Sequence, residues 1–150
     1  MIRRLKVMSF ALTGILMLCL CMGINSYAKG DDNIGFSFDI KPYYRNTRVN
    51  DSQARYRQTT DPNNMWKVGL RTSTEYGGKG TITNFWLEDY NETNVSDDIS
   101  AVQGSKVYYK VAYNKAAKKN VYLTAENNGY DSVTYHVTGV WDEETGKYAG

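Results

Sequence analysis

Val133-Thr134-Tyr135-His136-Val137-Thr138-Gly139-Val140-Trp141 decides the fold. Val133, Tyr135, Val137 and Trp141 share one parity, and Gly139 holds the same face. Thr134, His136, Thr138 and Val140 take the other. Successive side chains of a strand point to opposite faces, so this period of two predicts a strand with one buried and one wet side. The indole of Trp141 belongs to the buried side, because leaving so much apolar surface in water forfeits its contribution to stability. Beyond it, Asp142-Glu143-Glu144-Thr145-Gly146 changes to acids and a turn former, which predicts an exit to solvent.

Working outward, Val121, Leu123 and Ala125 alternate with Tyr122, Thr124 and Glu126, and Val107, Tyr109, Val111 and Tyr113 alternate with Lys106, Tyr108, Lys110 and Ala112. The links at Lys115–Lys119 and Asn127–Asp131 are short, which predicts that these strands form an antiparallel meander. Simple registers would then place Tyr122 between Lys110 and His136. Upstream, Ile34, Phe36, Phe38 and Ile40 alternate up to Pro42, which cannot donate to a ladder. Trp66, Val68 and Leu70 alternate ahead of Gly77-Gly78-Lys79-Gly80, which reads as a hairpin turn into Thr81–Leu87. Tyr43–Pro62 reads as loop with one short strand at Tyr56–Thr60, and Asp89–Ser105 as a long surface loop. These readings predict an all-β chain, an antiparallel β-sandwich (jelly-roll or immunoglobulin-like) of about six to eight strands. Its core would gather Phe36, Phe38, Trp66, Tyr109, Leu123, Tyr135 and Trp141.

The N-terminus is of another kind. Arg3, Arg4 and Lys6 precede an apolar run from Val7 to Ile24, and Ser26-Tyr27-Ala28 follows with small residues at its first and third positions. This is the order of a secretory signal peptide cleaved after Ala28. The expected organisation is therefore residues 1–28 as signal peptide and residues 29–150 as one secreted, extracellular domain, with no stable transmembrane anchor after cleavage. Cys19 and Cys21 follow Leu18 and Leu20 rather than a small residue, which argues against lipid attachment. Both cysteines depart with the leader, so the mature chain has no disulfide and no thiolate chemistry. The leader also carries three of the 18 lysines and arginines and none of the 16 acids. The mature chain is then close to neutral, which argues against nucleic acid as a partner.

No residue set specifies a reaction. His136 is the single histidine and falls on the outer strand face. No Gly-x-Ser-x-Gly turn accompanies it, and one histidine cannot build a multi-histidine zinc site. Glu88, Asp89, Glu126 and Glu143 are acids without a spacing that pairs them for glycoside chemistry. Asp31-Asp32, Asp97-Asp98 and Asp142-Glu143-Glu144 lack the spaced loop of a calcium site. The expectation is a non-enzymatic protein with no catalytic residues, no metal and no cofactor. The 13 tyrosines stand out. Tyrosine offers flat, amphipathic contact area at low entropic cost, which suits sugar or protein contact. Outer-face tyrosine also has high strand propensity in its own right. Tyr108, Tyr122, His136 and Trp86 form the candidate binding surface, and a bacterial cell-envelope component or a protein is the expected partner. Asn50-Asp51-Ser52, Asn91-Glu92-Thr93 and Asn94-Val95-Ser96 are sequons that support the loop assignments.

Asn33-Ile34-Gly35-Phe36, Tyr56–Thr60, Trp66-Lys67-Val68, Phe85-Trp86-Leu87, Ala125–Asn128 and Gly139–Glu144 resemble an uncharacterised family of short secreted proteins of Gram-positive bacteria, a domain of unknown function. The likeness covers nearly the whole mature chain and implies no site residues. In layout and composition the chain also resembles lactococcin-type bacteriocins, which implies a bacteriocin-like binding protein. A cell-wall or carbohydrate-binding module is the alternative, and an enzyme acting on wall glycans a third class. N-terminal sequencing of secreted material should begin at Lys29, and a start upstream of Cys19 would overturn the accounting for the mature chain.

Overall fold

The computed structural model describes residues 30–77 and 80–150; the expected leader, residues 1–28, and its cleavage point lie outside the described residues. Among the described residues nine strands follow one another: β1 (Ile34–Ile40), β2 (Thr47–Arg48), β3 (Arg55–Arg57), β4 (Trp66–Ser73), β5 (Ile82–Glu88), β6 (Ile99–Val102), β7 (Tyr108–Lys110), β8 (Lys119–Asn127) and β9 (Tyr135–Asp142). They form two antiparallel sheets, one ordered β1-β9-β4-β7 and the other β2-β8-β5-β6, with β3 also paired to β8. The chain changes sheet at most of its connections. Of the two sandwich alternatives, this is the jelly-roll order.

The alternation of 34–40 and 133–141 is realised directly. β1 and β9 pair from Ile34 opposite Trp141 to Ile40 opposite Tyr135. The expected meander is not formed: β7 and β9 lie in the first sheet and β8 in the second. Alternation says that a strand has a buried face but not which strand lies beside it. Splitting the three between sheets brings Val121 and Leu123 of β8 and Val137 and Trp141 of β9 into one core cluster from opposite sheets. Tyr122 consequently lies opposite Glu88, not between Lys110 and His136. The expected hairpin at Gly77–Gly80 fails for the same reason, since β4 and β5 belong to different sheets; Gly78 and Lys79 lie outside the described residues.

Two further corrections concern polarity. The polar stretch 89–105 contains β6, whose Ile99 and Ala101 are buried with Val95. In β7 the faces are reversed: Tyr108 pairs with Val68 and turns inward, whereas Tyr109 pairs with Lys67 and turns outward. Tyrosine is served by either side, because its ring can be buried while its hydroxyl is bonded. Tyr109 therefore leaves the expected core and donates its hydroxyl to Asp31 at 3.0 Å. Phe36, Trp66, Leu123, Tyr135 and Trp141 are buried as expected, and Phe38 is partly so.

Gly139 is where the first sheet has no room. The Phe36 ring lies over it, and a Cβ there would approach Phe36 Cζ to 2.5 Å and collide with the Gly69 carbonyl oxygen. Rigid backbone on one side and a core ring on the other leave nothing free to yield.

The acidic tail corrects the expectation of an exit to solvent: Asp142, Glu143, Glu144 and Thr145 are all buried. Two segments close over them. Asp32 N–H donates to Asp142 at 2.6 Å, and Asp31 binds both Lys67 and Lys147. On the other side Arg55 pairs with Glu143 at 2.9 Å, and Thr59 N–H donates to Glu144 at 2.7 Å. Arg57, only 1% exposed, donates to the backbone carbonyls of Glu143, Asp61 and Asn64. The tail runs on antiparallel to Asn63–Met65 through an isolated bridge, with Met65 N–H to Lys147 O at 2.8 Å and Ala149 N–H to Asn63 O at 3.0 Å.

Burial, with the adjacent Glu143, raises the Asp142 carboxyl to about 7 from an ordinary 3.8, against hydrogen bonds from the backbone of Asp32 and Glu144. The folded state thus favours the protonated acid. Its contribution is complete below the ordinary carboxylate value and is lost as pH rises through about 7. Asp31 moves the other way, to about 2, because the hydrogen bonds from Lys147, Lys67 and Tyr109 outweigh its burial; its contribution is lost only as pH falls toward that value.

Two outcomes are expected. Gly139→Ala should destabilise the domain by roughly 1–3 kcal/mol, read as a lower urea midpoint, while Gly35→Ala, with open space around it, should not; equal midpoints would refute the close-approach argument. The melting temperature should fall between about pH 4 and pH 7, and Asp142→Asn should flatten that dependence. An unchanged slope in the variant would assign the titration elsewhere.

Candidate functional site

The outer face of the second sheet is built by the register of β5 on β8. Phe85 and Leu87 turn inward to face the core with Leu123 and Ala125. Their neighbours must then point outward, which sets Asn84 opposite Glu126, Trp86 opposite Thr124 and Glu88 opposite Tyr122. β2 adds Arg48, the register partner of Thr124. Polar side chains from three strands thereby share one face above two aromatic rings.

Those rings are floor and not platform. Trp86 and Tyr122 are both buried although they lie on the outer face. Trp86 Nε1 donates to Glu88 at 2.8 Å, and the Arg48 guanidinium lies 4.5 Å over the Tyr122 ring. Grooves run between the polar groups that cover them. One, of about 390 Å³, is lined by Lys41, Asn46, Thr47, Arg48, Glu88 and Thr124, among others. A second, of about 320 Å³, shares Asn46 and reaches Trp86, Asp97, Tyr113 and Glu126. A third, of about 300 Å³, lies beside Tyr122, Lys119 and Asp89.

The first groove contains unfinished hydrogen bonding. Arg48 Nη1 and Thr124 Oγ1, paired on the outer face, are buried without a hydrogen-bond partner; among the described residues the other such side-chain atoms are Trp66 Nε1 and Thr47 Oγ1, the latter on the inner face beside Ala125. The ion pairs of Arg48 are long, 3.9 Å to Asp51 and 4.0 Å to Glu92. Buried polar atoms normally find partners, so two neighbouring orphans in one groove need a reason. Charge is balanced there, with Lys41 and Arg48 against Glu88 and Glu92. Burial, and then the Asp98 carboxylate, raise Glu126 above the ordinary carboxylate range, against a hydrogen bond from Asn84. Glu88 and Glu126 occupy positions four residues apart along antiparallel neighbours, roughly 13 Å of strand rise.

The four residues singled out from the sequence are not brought together. Trp86 and Tyr122 share the face just described. Tyr108 is turned inward at the sandwich edge, its hydroxyl accepting from Val102 N–H at 3.3 Å. His136 lies on the outer face of the first sheet, where Nδ1 meets Asp39 at 2.7 Å and Nε2 meets Ser37 at 2.9 Å. That connectivity is the one used in acyl transfer. Here it joins side chains of two paired strands on the outer face of the first sheet. The trio clips β1 to β9.

Sequence reasoning missed the most exposed aromatic surface. Tyr43, Tyr44, Tyr76 and Tyr130 collect where β1 and β4 end and β9 begins, and Tyr76 and Tyr130 keep 72% and 71% of their surface in water. Ring centroids are 5.2 Å apart for Tyr43–Tyr130 and 5.5 Å for Tyr44–Tyr130. Asp131 holds the tip together, accepting from the Tyr76 hydroxyl at 2.9 Å while its carbonyl accepts from Tyr43 N–H. Tyr43, Tyr44 and Tyr76 have φ of 60°, 55° and 42°, a conformation costing a bulky residue on the order of 1–3 kcal/mol. The only signal in the sequence was the pair Tyr43-Tyr44 beside Pro42 in a polar stretch.

Among the described residues no helix is long and apolar enough to cross a membrane, and no group of three or more histidine, cysteine or acidic side chains is arranged to hold a metal ion. Residues 24–145 match the family model for a protein of unknown function, DUF2712, and the chain belongs to that family. No curated protein and no solved structure matches it.

Proposed function

We propose that this DUF2712 protein is an exported, non-catalytic binding protein that holds a polar cell-envelope glycan along the outer face of its second sheet. The observation that carries the reading is the pair of orphaned polar atoms, Arg48 Nη1 and Thr124 Oγ1, on neighbouring outer-face residues of one groove. A saccharide supplies hydroxyls that both donate and accept, which is what a charge-balanced set of threonine, asparagine, arginine and glutamate side chains calls for. A ligand of strong single charge is not favoured, since Lys41 and Arg48 face Glu88 and Glu92 across the groove. The neighbouring grooves share Asn46 and give the face length, which suits an extended chain over a compact molecule. Export rests on the leader sequence. The compositional likeness to bacteriocins fits the same contact, since capture of wall glycan is a means of acting on other cells.

The test is co-sedimentation of the purified mature protein with insoluble peptidoglycan. Arg48→Met with Thr124→Val removes the polar atoms and keeps the volume. It should weaken binding about tenfold or more, the equivalent of one or two hydrogen bonds. His136→Ala, on the opposite sheet, should bind like wild type. A folded double variant with undiminished binding, or a wild-type protein that stays in the supernatant, would reject the proposal.

A further inference from the structure

We infer that Tyr43, Tyr44 and Tyr130 form a second contact for the same ligand, stacking on the apolar faces of sugar rings that leave the groove. The inference rests on the groove reading and adds a subsite to it. The link is the segment between β1 and β2. Lys41 and Asn46 line the groove, and Tyr43 and Tyr44 lie between them in the chain. With consecutive Cα atoms about 3.8 Å apart, Tyr43 can be no more than about 7.6 Å from Lys41, nor Tyr44 from Asn46, in backbone terms. Lys41 Nζ donates to the Asn46 carbonyl at 3.3 Å, closing the segment into one compact loop. A chain of sugars lying in the groove therefore reaches the tyrosines without bridging a gap.

The chemistry of the tip favours a sugar over other partners. Its exposed large hydrophobic side chains are all tyrosine, with rings inclined at 49° and 45° to Tyr130 instead of packed flat. A tyrosine pairs an apolar ring face with a hydroxyl at its edge, and a sugar ring presents the matching C–H face and hydroxyl rim. A lipid surface would call for aliphatic or indole side chains and a basic surplus. Here Asp39 and Asp131 accompany Lys41 and Arg45. The left-handed backbone at Tyr43 and Tyr44 turns both rings outward in succession, which an extended strand cannot do, since it sends neighbours to opposite faces.

The experiment compares glycan lengths. Tyr43→Asn with Tyr44→Asn keeps side chains that tolerate the left-handed conformation, and Tyr130→Ala removes the third ring. Calorimetric titration would use size-fractionated peptidoglycan glycan strands, a disaccharide fraction and a long-strand fraction, against wild type, the triple variant and Arg48→Met/Thr124→Val. The triple variant should melt like wild type, bind the disaccharide equally and lose about tenfold in affinity for long strands. Equal affinity for long strands would overturn the subsite. An equal loss for both lengths would overturn it as an extension of the groove. If wild type binds neither fraction, or if the groove variant binds both as wild type does, the groove reading itself has failed and the extension with it.

Discussion

The guanidinium of Arg57 organises the end of the sandwich at which the strands begin and finish. It lies out of water and donates to three backbone carbonyls from two segments, Glu143 on one side and Asp61 and Asn64 on the other. A buried cation left without such partners would cost several kcal/mol, so Arg57 can be inside only if the segment after β3 and the tail after β9 are both in place. The acids that follow Trp141 then have a reason to be there. Glu143 meets Arg55, Glu144 caps the Thr59 amide, and Asp142 takes the amide of Asp32. The first residues of the domain, the segment between β3 and β4, and the tail are held by one another, in a chain whose described part contains no cysteine to do that work.

This closure marks the limit of what periodicity conveys. The alternation of Ile34–Ile40 and of Val133–Trp141 could be read without a structure, because the period of side-chain direction is a local property of a strand. Neither the sheet to which a strand belongs nor its partner is local. β8 and β9 showed the right alternation and still did not form the expected meander with β7. In β7 two adjacent tyrosines offered no contrast in polarity, so the faces were assigned the wrong way round. The run Asp142–Thr145 carried the composition of an exposed tail. Burial of such a run depends on Arg55 and Arg57, far away in sequence, and a charge pattern read along the chain cannot register a countercharge delivered across it.

The binding surface divides in the same way. That Trp86 and Tyr122 point away from the core followed from parity. That they would be roofed by Glu88 and Arg48, and hence unavailable for stacking, did not, because the roof comes from a long side chain of their own strand and from a two-residue strand too short to announce itself. Tyr43, Tyr44, Tyr76 and Tyr130 lie in stretches that read as loop, where no period exists to be read. They are exposed because left-handed backbone and the bonds to Asp131 hold them there, and both are properties of the folded molecule.

The tie between Asp31 and Lys147 has a further consequence, one of orientation. β1 runs away from that tie and β9 runs back to it, and each spans about 20–25 Å. The two places where the described chain begins and stops thus lie together at one pole, and the tyrosine tip lies at the other. A carrier, a tether or a solid support joined through either extremity holds the molecule by the same pole and presents the aromatic end outward. The choice of extremity for attachment is then immaterial to what the far pole meets.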